Sequence, residues 1–412
     1  MKVNYSDDSS PVQGGERYPI LDVLRGLALF GICLANFPEF SLYSFLPQEA
    51  VAAMPAAGAD RVVRVLQYVL VDGKFYTMFS ILFGIGFSIM MANVERRHAD
   101  GFRIFYRRMA VLLAIGFLHL MFLWSGDILM LYAALGLLLP WCRRVSNRGL
   151  LSAAAVLLLL PVVLDAAKEV SGFEPSAPVV RAQRYFCDKF GITEENFAVW
   201  LRDAGGYGDV FRFLVQGAFV RMQELIDGNR FFKVMGLFLL GFWIGRNRLY
   251  ADLERCRPLL RKVAMFGFSA GLPVSVLYAW SSLNGHPWGL AGHSALYAFG
   301  VFPLGLAYMA AVCLWYVRRR ECAVFRLLAA PGRMALSNYI GQSVLGMAVF
   351  YGIGFGFGAG MGLSQVMAVA AGVFLFEMAF SVFWLRFFRF GPLEWVWRML
   401  TYGKRLPLLK GE

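Results

Sequence analysis

Hydrophobic residues follow one another in long runs along this chain and do not alternate with polar ones. Most runs are about 18 to 25 residues long, which a helix needs to cross roughly 30 Å of hydrocarbon at 1.5 Å per residue. A membrane β-barrel would show short segments of alternating polarity instead. The pattern therefore predicts an all-α, polytopic integral membrane bundle of about ten transmembrane helices. The predicted spans are residues 18–38, 74–94, 106–125, 127–142, 149–166, 231–247, 261–281, 294–317, 334–356 and 364–386.

Two segments outside the spans also have helical patterns. Residues 60–71 are amphipathic and are predicted to lie on the membrane surface or under the bundle. Residues 168–229 are too many for a bare loop, and 209–225 have apolar residues at helical spacing. We expect a small helical extracytoplasmic insert here, either a packing element or a lid over a substrate. The chain 1–412 is then one membrane domain, with a cytoplasmic tail at 391–412.

Composition and charge agree with a membrane protein and orient it. The chain is 58% hydrophobic and 16% charged, whereas soluble domains carry roughly 25% charged residues. Lys and Arg are concentrated after spans two, four, six and eight and in the tail, while the turns at 125–127, 281–292 and 355–362 contain none. This bias predicts that both termini are cytoplasmic. It also explains the net charge of +13 by contact with anionic membrane lipid, so nucleic acid is not an expected partner.

The first span carries a polar face. Asp22 and Arg25 are three residues apart and share a helix face, and Asn36, eleven residues after Arg25, returns to it. Because polar groups inside a span are costly, this face is predicted to line a cavity. The alternative is an ion pair that only anchors the helix at the membrane interface. Asp72 and Lys74, before the second span, form a further predicted charged pair at the outer mouth.

A histidine and an acid lie near one predicted turn. His119 could serve as a general base, and Asp127 could orient its imidazole. The alternative is a histidine that only bonds a neighbouring helix. Trp124 and Tyr132 belong to the same turn, and His293 is predicted on the same side of the membrane. No Cys or His cluster has metal-ligand spacing, so the sequence predicts no metal site.

The ninth span begins at a Pro-Gly-Arg segment and continues with a polar stripe. Free N–H groups, the helix dipole and Arg333 together predict an anion site at its start. The stripe consists of Ser337, Asn338, Gln342 and Ser343. Such residues also join helices by hydrogen bonds, and the sequence leaves both interpretations open. Glu377, in the tenth span, is expected to have a basic partner on a neighbouring helix.

Five blocks along the chain resemble the YeiB family of bacterial membrane proteins. They are LDVLRGLA at 21–28, DGKFYTMFSILFG at 72–84, the histidine at 119 with WSGDILMLYA at 124–133, GRMALSNY at 332–339 and GPLEWVWR at 391–398. That family is similar to the transmembrane acyltransferase superfamily, including heparan-alpha-glucosaminide N-acetyltransferase and the acyltransferase-3 enzymes. The resemblance implies transfer of an acyl group from cytoplasmic acyl-CoA, such as acetyl-CoA, to an extracytoplasmic hydroxyl or amine. It also implies a multi-pass protein of the bacterial inner membrane and a homodimer.

The same resemblance identifies one departure. Acyltransferase-3 enzymes have an essential histidine at the position of Asn36, and the heparan-type enzyme has Asn there with a histidine in the next loop. This chain has no histidine between Asn36 and Asp72, so His119 with Asp127 is the predicted catalytic pair. The residues predicted to bind substrate or acyl-CoA are Asp22, Arg25, Asn36, Asp72, Lys74, Trp124, Tyr132, His293, Arg333, Ser337, Asn338, Gln342, Ser343 and Glu377.

Three functions remain open from the sequence. The first is an acyltransferase with the acyl-CoA phosphates near Arg333 and Arg25. The second is a transporter of a small polar or anionic solute, in which Asp22, Arg25, His119 and Glu377 are the binding or coupling groups. The third is a non-catalytic membrane scaffold or sensor whose polar residues only pack helices. Whether the protein is an enzyme is therefore left undecided at this point.

Overall fold

The computed structural model describes residues 18–97 and 101–410, and within them the chain is helical without a β-strand. The helices are α1 Pro19–Phe40, α2 Gln48–Ala52, α3 Ala57–Leu66, α4 Lys74–Arg97, α5 Gly101–Phe122, α6 Leu129–Gly136, α7 Asn147–Ser171, α8 Ala177–Phe190, α9 Glu194–Phe197, α10 Tyr207–Asp227, α11 Arg230–Arg246, α12 Arg257–Phe266, α13 Leu272–Leu283, α14 Gly289–Leu296, α15 Phe302–Arg318, α16 Ala323–Arg333, α17 Ala335–Phe350, α18 Leu363–Phe387 and α19 Pro392–Tyr402. The π-helical turns Gln67–Val71, Gly267–Gly271 and Tyr297–Val301 extend α3, join α12 to α13 and join α14 to α15.

Within the described ranges, seven helical segments are long and apolar enough to cross a membrane. They are Pro19–Phe40, Ala57–Ala92, Phe102–Phe122, Asn147–Ser171, Arg257–Leu283, Gly289–Arg318 and Leu363–Phe387. Each overlaps one of the ten predicted spans. An all-helical, multi-pass membrane protein is therefore the architecture that the fold supports.

The other three predicted spans are helices that fall short of this length. The segment 231–247 matches α11, which has 17 residues, and 334–356 matches α17, which has 16. The segment 127–142 holds only the eight residues of α6, followed by the 3₁₀ turn Leu139–Arg144. The prediction of one continuous helix over 127–142 is therefore wrong. Pro140 lacks the amide hydrogen that an α-helix would need at this position.

Helix α1 occupies a central position and packs on α4, α16, α17 and α18. Its contact with α16 is made by backbone atoms. A Cβ on Gly26 would lie 1.9 Å from the Leu328 carbonyl oxygen, and one on Gly332 would lie 1.9 Å from the Asp22 carbonyl oxygen. Glycine at these two positions therefore sets how closely the two helices approach each other.

The predicted insert forms helices α8, α9 and α10, and α10 contains the stretch 209–225 that was predicted to be helical. The Tyr207 hydroxyl donates a hydrogen bond of 2.6 Å to the Phe122 carbonyl at the end of α5. Phe45, after α1, packs on Phe197 and Phe213 of the insert, with ring centroids 5.4 and 6.3 Å away. The insert is thus packed onto the C-terminal ends of α1 and α5.

Candidate functional site

A cavity of about 360 Å³, here called the central tunnel, runs along one face of α1. The α1 residues that line it are Asp22, Arg25, Leu29, Ile32, Ala35 and Asn36. Their spacing of three or four residues places them on a single helix face. From Asp22 to Asn36 the helix rises about 21 Å, so the tunnel extends through much of a bilayer's thickness. The face that the sequence predicted to be polar therefore lines a cavity.

One end of the tunnel is rich in arginine and is called the arginine end. Its charged lining residues are Asp22, Arg25, Arg108, Arg333, Glu394 and Arg398. Arg25 Nη1 lies 2.8 Å from Asp22 Oδ1, as the sequence predicted for this pair. The Arg108 guanidinium lies over the Trp397 ring, 4.2 Å from its centroid. Four guanidinium groups against two carboxyl groups make this end attractive to an anion.

Glu394 occupies the start of α17, where the sequence predicted an open anion site. Its carboxyl oxygens accept hydrogen bonds from Leu336 N at 2.7 Å, from Ser337 N at 3.1 Å and from Ser337 Oγ at 2.5 Å. Burial raises the pKa of the Glu394 carboxyl above its usual value, and the hydrogen bonds from Ser337 and Leu336 oppose that rise. The chain's own carboxyl group therefore fills most of this site, and Arg333 lines the tunnel beside it.

The middle of the tunnel is apolar. Its lining residues include Leu29, Ile32, Phe79, Leu82, Phe83, Met109, Leu112 and Leu129. They come from α1, α4, α5 and α6, so four helices close around this stretch. A hydrocarbon chain fits such a lining, whereas a charged solute would lose its hydration there without compensation.

The opposite end, called the tyrosine end, combines aromatic and polar groups. Its lining includes Asn36, Gly73, Tyr76, Tyr132 and Arg221. The Tyr132 hydroxyl lies 2.5 Å from Ser80 Oγ, and Arg221 Nε donates to the Asp127 carbonyl at 2.8 Å. Asn36 and Tyr132, both predicted to contact substrate, are brought together here.

His119 and Asp127 form the predicted pair but do not line the tunnel. His119 Nδ1 lies 2.8 Å from Asp127 Oδ1, and its Nε2 lies 2.8 Å from Ser343 Oγ. Both side chains of the pair have no exposed surface. With both ring nitrogens engaged and no access to the cavity, this imidazole is not placed to take a proton from a substrate.

The pair instead holds a segment that does line the tunnel. Asp127 Oδ2 accepts a hydrogen bond of 2.8 Å from Met130 N, while Gly126 and Ile128 contact the cavity. Trp124 is buried, packs on Phe40 at 4.6 Å between ring centroids and is not part of the lining. These residues therefore hold the wall of the tyrosine end in place without lining the tunnel themselves.

The polar stripe of α17 faces other helices. Asn338 Nδ2 donates to Ser381 Oγ at 2.9 Å, and Gln342 Nε2 donates to Glu377 Oε2 at 2.9 Å. The expected basic partner of Glu377 is not found among the described residues, where a neutral amide takes that position. Of the two interpretations left open, interhelical hydrogen bonding describes Asn338, Gln342 and Ser343.

The remaining predicted residues form a separate group beside the tyrosine end. Asp72 Oδ2 accepts a hydrogen bond of 2.6 Å from the Tyr278 hydroxyl, and Lys74 Nζ donates to the Tyr68 carbonyl at 2.7 Å. The predicted Asp72–Lys74 ion pair is therefore not formed, since each side chain has another partner. The His293 ring lies 4.9 Å from that of Tyr278, so it belongs to this group and not with His119.

Several lining residues were not predicted as site residues. Arg108 belongs to the basic cluster that follows the second predicted span, and Arg221 lies in the long insert. Glu394, Trp397 and Arg398 lie in the tail, within the block at 391–398. That block could have indicated a helix in the tail, because a Gly-Pro start followed by an acid is typical of a helix N-terminus. The described residues contain no group of three His, Cys, Asp or Glu side chains that could hold a metal ion.

Comparison with known proteins gives similarity along nearly the whole chain. Residues 244–404 match the family described as "Protein of unknown function (DUF418)". The "Uncharacterized protein YxaH" of Bacillus subtilis is 29% identical, and the alignment covers 97% of this chain and 98% of that one. The "Uncharacterized protein YeiB" of Escherichia coli is 27% identical, with 94% and 96% covered. No solved structure matches the chain. The chain is thus similar to YxaH and YeiB over nearly its whole length, in agreement with the resemblance that the sequence blocks indicate.

Proposed function

We propose that ten segments of the chain cross the bacterial inner membrane and that both termini face the cytoplasm. The seven long apolar segments form most of these crossings, and α11, α17 and the broken segment around α6 form the others. The guanidinium of Arg246, at the end of α11, donates to the carbonyls of Arg143 and Val145, which follow α6. These basic residues and the arginine end of the tunnel then lie on the cytoplasmic side, as the positive-inside rule requires.

We further propose that the protein binds an acyl-CoA through the arginine end and transfers its acyl group at the tyrosine end. The observation that carries this proposal is the order of surfaces along one cavity: cationic, then apolar, then polar. The phosphates of CoA match the arginines, and the pantetheine arm and acyl chain match the apolar middle. The thioester would then reach the tyrosine end, where an acceptor from the far side of the membrane could meet it.

The chemistry proposed at the tyrosine end is a simple acyl transfer. The acceptor oxygen or nitrogen attacks the thioester carbonyl carbon, the C–S bond breaks, and the acceptor proton ends on the sulfur of CoA. Asn36 and Arg221 line this end and supply hydrogen-bond donors for the carbonyl oxygen as negative charge develops on it. His119 and Asp127 act in this proposal as positioning residues, because they hold the segment that contains Gly126 and Ile128.

The proposal is tested by titrating CoA, acetyl-CoA and longer acyl-CoAs onto the purified protein in nanodiscs. Free thiol is assayed after the protein has been removed, since the six cysteines would react with thiol reagents. We expect saturable binding that tightens with chain length, and slow thiol release from acetyl-CoA. Failure of every acyl-CoA to bind would overturn the proposal.

A tunnel-blocking variant makes this experiment specific. Ile32→Trp puts a larger side chain into the apolar middle and should abolish the dependence of affinity on chain length while CoA itself still binds. Val156→Trp, at a side chain of α7 that is 62% exposed, is the matched control and should leave the length dependence unchanged. Binding without thiol release, together with uptake of a solute into proteoliposomes, would favour the transporter hypothesis instead.

A further inference from the structure

Three tyrosine rings beside the tyrosine end each have a cation over one face. Arg230 Cζ lies 5.1 Å from the centroid of the Tyr76 ring, and Lys74 Nζ lies 5.3 Å from that of Tyr278. Lys233 Nζ lies 4.2 Å from the centroid of the Tyr297 ring. The rings form one group, because the Tyr278 and Tyr297 centroids are 5.4 Å apart.

This group borders the tunnel. Tyr76 and Gly73 both line the cavity. A Cβ on Gly73 would lie 2.4 Å from the Tyr297 hydroxyl, so that hydroxyl directly contacts the Gly73 backbone. Gly73 has φ of +75°, which other residues rarely adopt, and this turn allows the close approach. Tyr76 and Gly73 therefore join the tyrosine end of the tunnel to this group, and the three cations lie behind this part of the tunnel wall.

The cations lack anionic partners within the described part of the chain. None of Lys74, Arg230 and Lys233 has a carboxylate oxygen within 4.0 Å there. Lys74 is fully buried and donates to the Tyr68 carbonyl. Lys233 is 7% exposed, and its side-chain ammonium group forms no hydrogen bond with a residue in the described ranges but lies over the Tyr297 ring.

The carboxyl groups around these cations, Asp72 and Asp165, form their hydrogen bonds with other residues. Asp72 accepts the Tyr278 hydroxyl at 2.6 Å. Asp165 accepts hydrogen bonds from Lys168 at 3.0 Å, from Asn229 at 2.7 Å and from Ser294 at 2.5 Å. A buried cation without a paired anion is unfavourable, and contact with an aromatic face replaces only part of its lost hydration. A negatively charged ligand would complete the arrangement.

We infer that Lys74, Arg230 and Lys233 form an oxyanion-binding site at the tyrosine end, which binds a phosphate or carboxylate group of the acceptor. That the bound molecule is the acyl acceptor rests on the proposed function, whereas the site itself is inferred from its own geometry. It assigns the acceptor to a chemical class: a molecule with an acylatable hydroxyl or amine and a nearby oxyanion. That oxyanion could belong to a lipid headgroup or to a soluble phosphate ester, and the experiment has one arm for each.

The test uses the full-length protein and two variants of similar shape. The soluble arm measures the shift in Tm on adding glycerol 3-phosphate, compared with glycerol plus sodium chloride at equal ionic strength. The lipid arm counts bound phosphatidylglycerol and phosphatidylcholine by native mass spectrometry. Lys233→Met removes a cation of the site, and Lys168→Met removes a nearby cation that is already paired with Asp165.

We expect saturable binding of the phosphate compound in one arm, weakened about tenfold or more by Lys233→Met and unchanged by Lys168→Met. The arm that responds identifies a lipid or a soluble acceptor. Arg230→Met should weaken the same binding if Lys233→Met proves too unstable to purify. Absence of binding in both arms, or equal loss in the Lys168→Met variant, would overturn the inference.

Acetyl-CoA binding, measured on the same samples, separates this inference from the proposed function. Lys233→Met should leave acetyl-CoA affinity unchanged, because the arginine end lies at the other end of the tunnel. If the phosphate compound binds and acetyl-CoA does not, the oxyanion site stands and the acyltransferase proposal falls. The opposite result overturns the site alone.

Discussion

Helices α1 and α17 each carry a polar face, yet the polar residues of the two helices have different partners. The polar residues of α1 line the tunnel, whereas those of α17 are hydrogen-bonded to α5, α18 and α19. The difference lies in the surface that each polar face contacts. Helix α18 places Ser381 and Glu377 against α17, whereas the polar face of α1 borders a cavity. A polar face in a membrane helix therefore predicts that a partner exists, and the packing decides whether it is a helix or a ligand.

The largest effect is expected where α1 meets α16. Gly332→Ala would place a Cβ 1.9 Å from the Asp22 carbonyl oxygen, a backbone atom that cannot move aside without shifting α1. We expect the free energy of unfolding to fall by about 3 kcal/mol, with loss of acetyl-CoA binding, in thermal unfolding and ligand titration. Gly372→Ala, with no atom within 4 Å of the added Cβ, is the control. Equal stability of the two variants would show that α1 is not held by this contact.

A smaller loss of stability is expected from the stripe on α17. Gln342→Leu removes the hydrogen-bond donor to Glu377 and leaves that carboxyl group buried without a described partner, at a cost of about 1–3 kcal/mol. Acetyl-CoA affinity should not change, because neither residue lines the tunnel. The double variant Gln342→Leu, Glu377→Leu should recover most of the stability. A large loss of acetyl-CoA affinity in Gln342→Leu would contradict the division between the two helices.

The polar face of α1 should show the opposite behaviour. Asn36→Leu should change the free energy of unfolding by less than about 0.5 kcal/mol, because the Asn36 side chain faces the cavity and has no hydrogen-bond partner among the described residues. In the proposed reaction it should slow thiol release from bound acetyl-CoA about tenfold, since a hydrogen-bond donor at the carbonyl oxygen is lost. Single-turnover thiol release measures this effect. A destabilised protein with a normal rate would instead assign Asn36 to packing.

The smallest effect concerns the carboxyl group that joins the tail to α17. Burial raises the pKa of Glu394 in the folded protein, so the folded state holds this proton more tightly than the unfolded state does. Stability therefore falls as the pH rises from the ordinary glutamate pKa to the raised one. Glu394→Gln should show a flatter decline in Tm between these pH values than the wild type. A steeper decline in the variant would contradict the assignment.

The sequence predicted the helical class and the polar residues that face the tunnel from α1, because hydrophobic run length and helical spacing are local properties. It did not predict the break between α6 and Leu139, since eight helical residues and a 3₁₀ turn have the same composition as a short span. It could not decide whether His119 is a general base or a buried residue that only holds its neighbours. The answer depends on the hydrogen bond to Ser343, which is 224 residues away in the sequence. Lys233 had no local signal, because its aromatic neighbour Tyr297 is on another helix.

The apolar middle of the tunnel has a consequence for the membrane potential of the cell. A cavity that reached across the membrane with a wet interior would let protons and ions leak down the membrane potential. Leu29, Ile32, Phe79 and Leu112 give this stretch an apolar lining, which water enters reluctantly, as in the hydrophobic gates of channels. A threaded hydrocarbon chain would tighten this seal. In the proposed function, the same residues would both admit the acyl group and keep the membrane electrically closed.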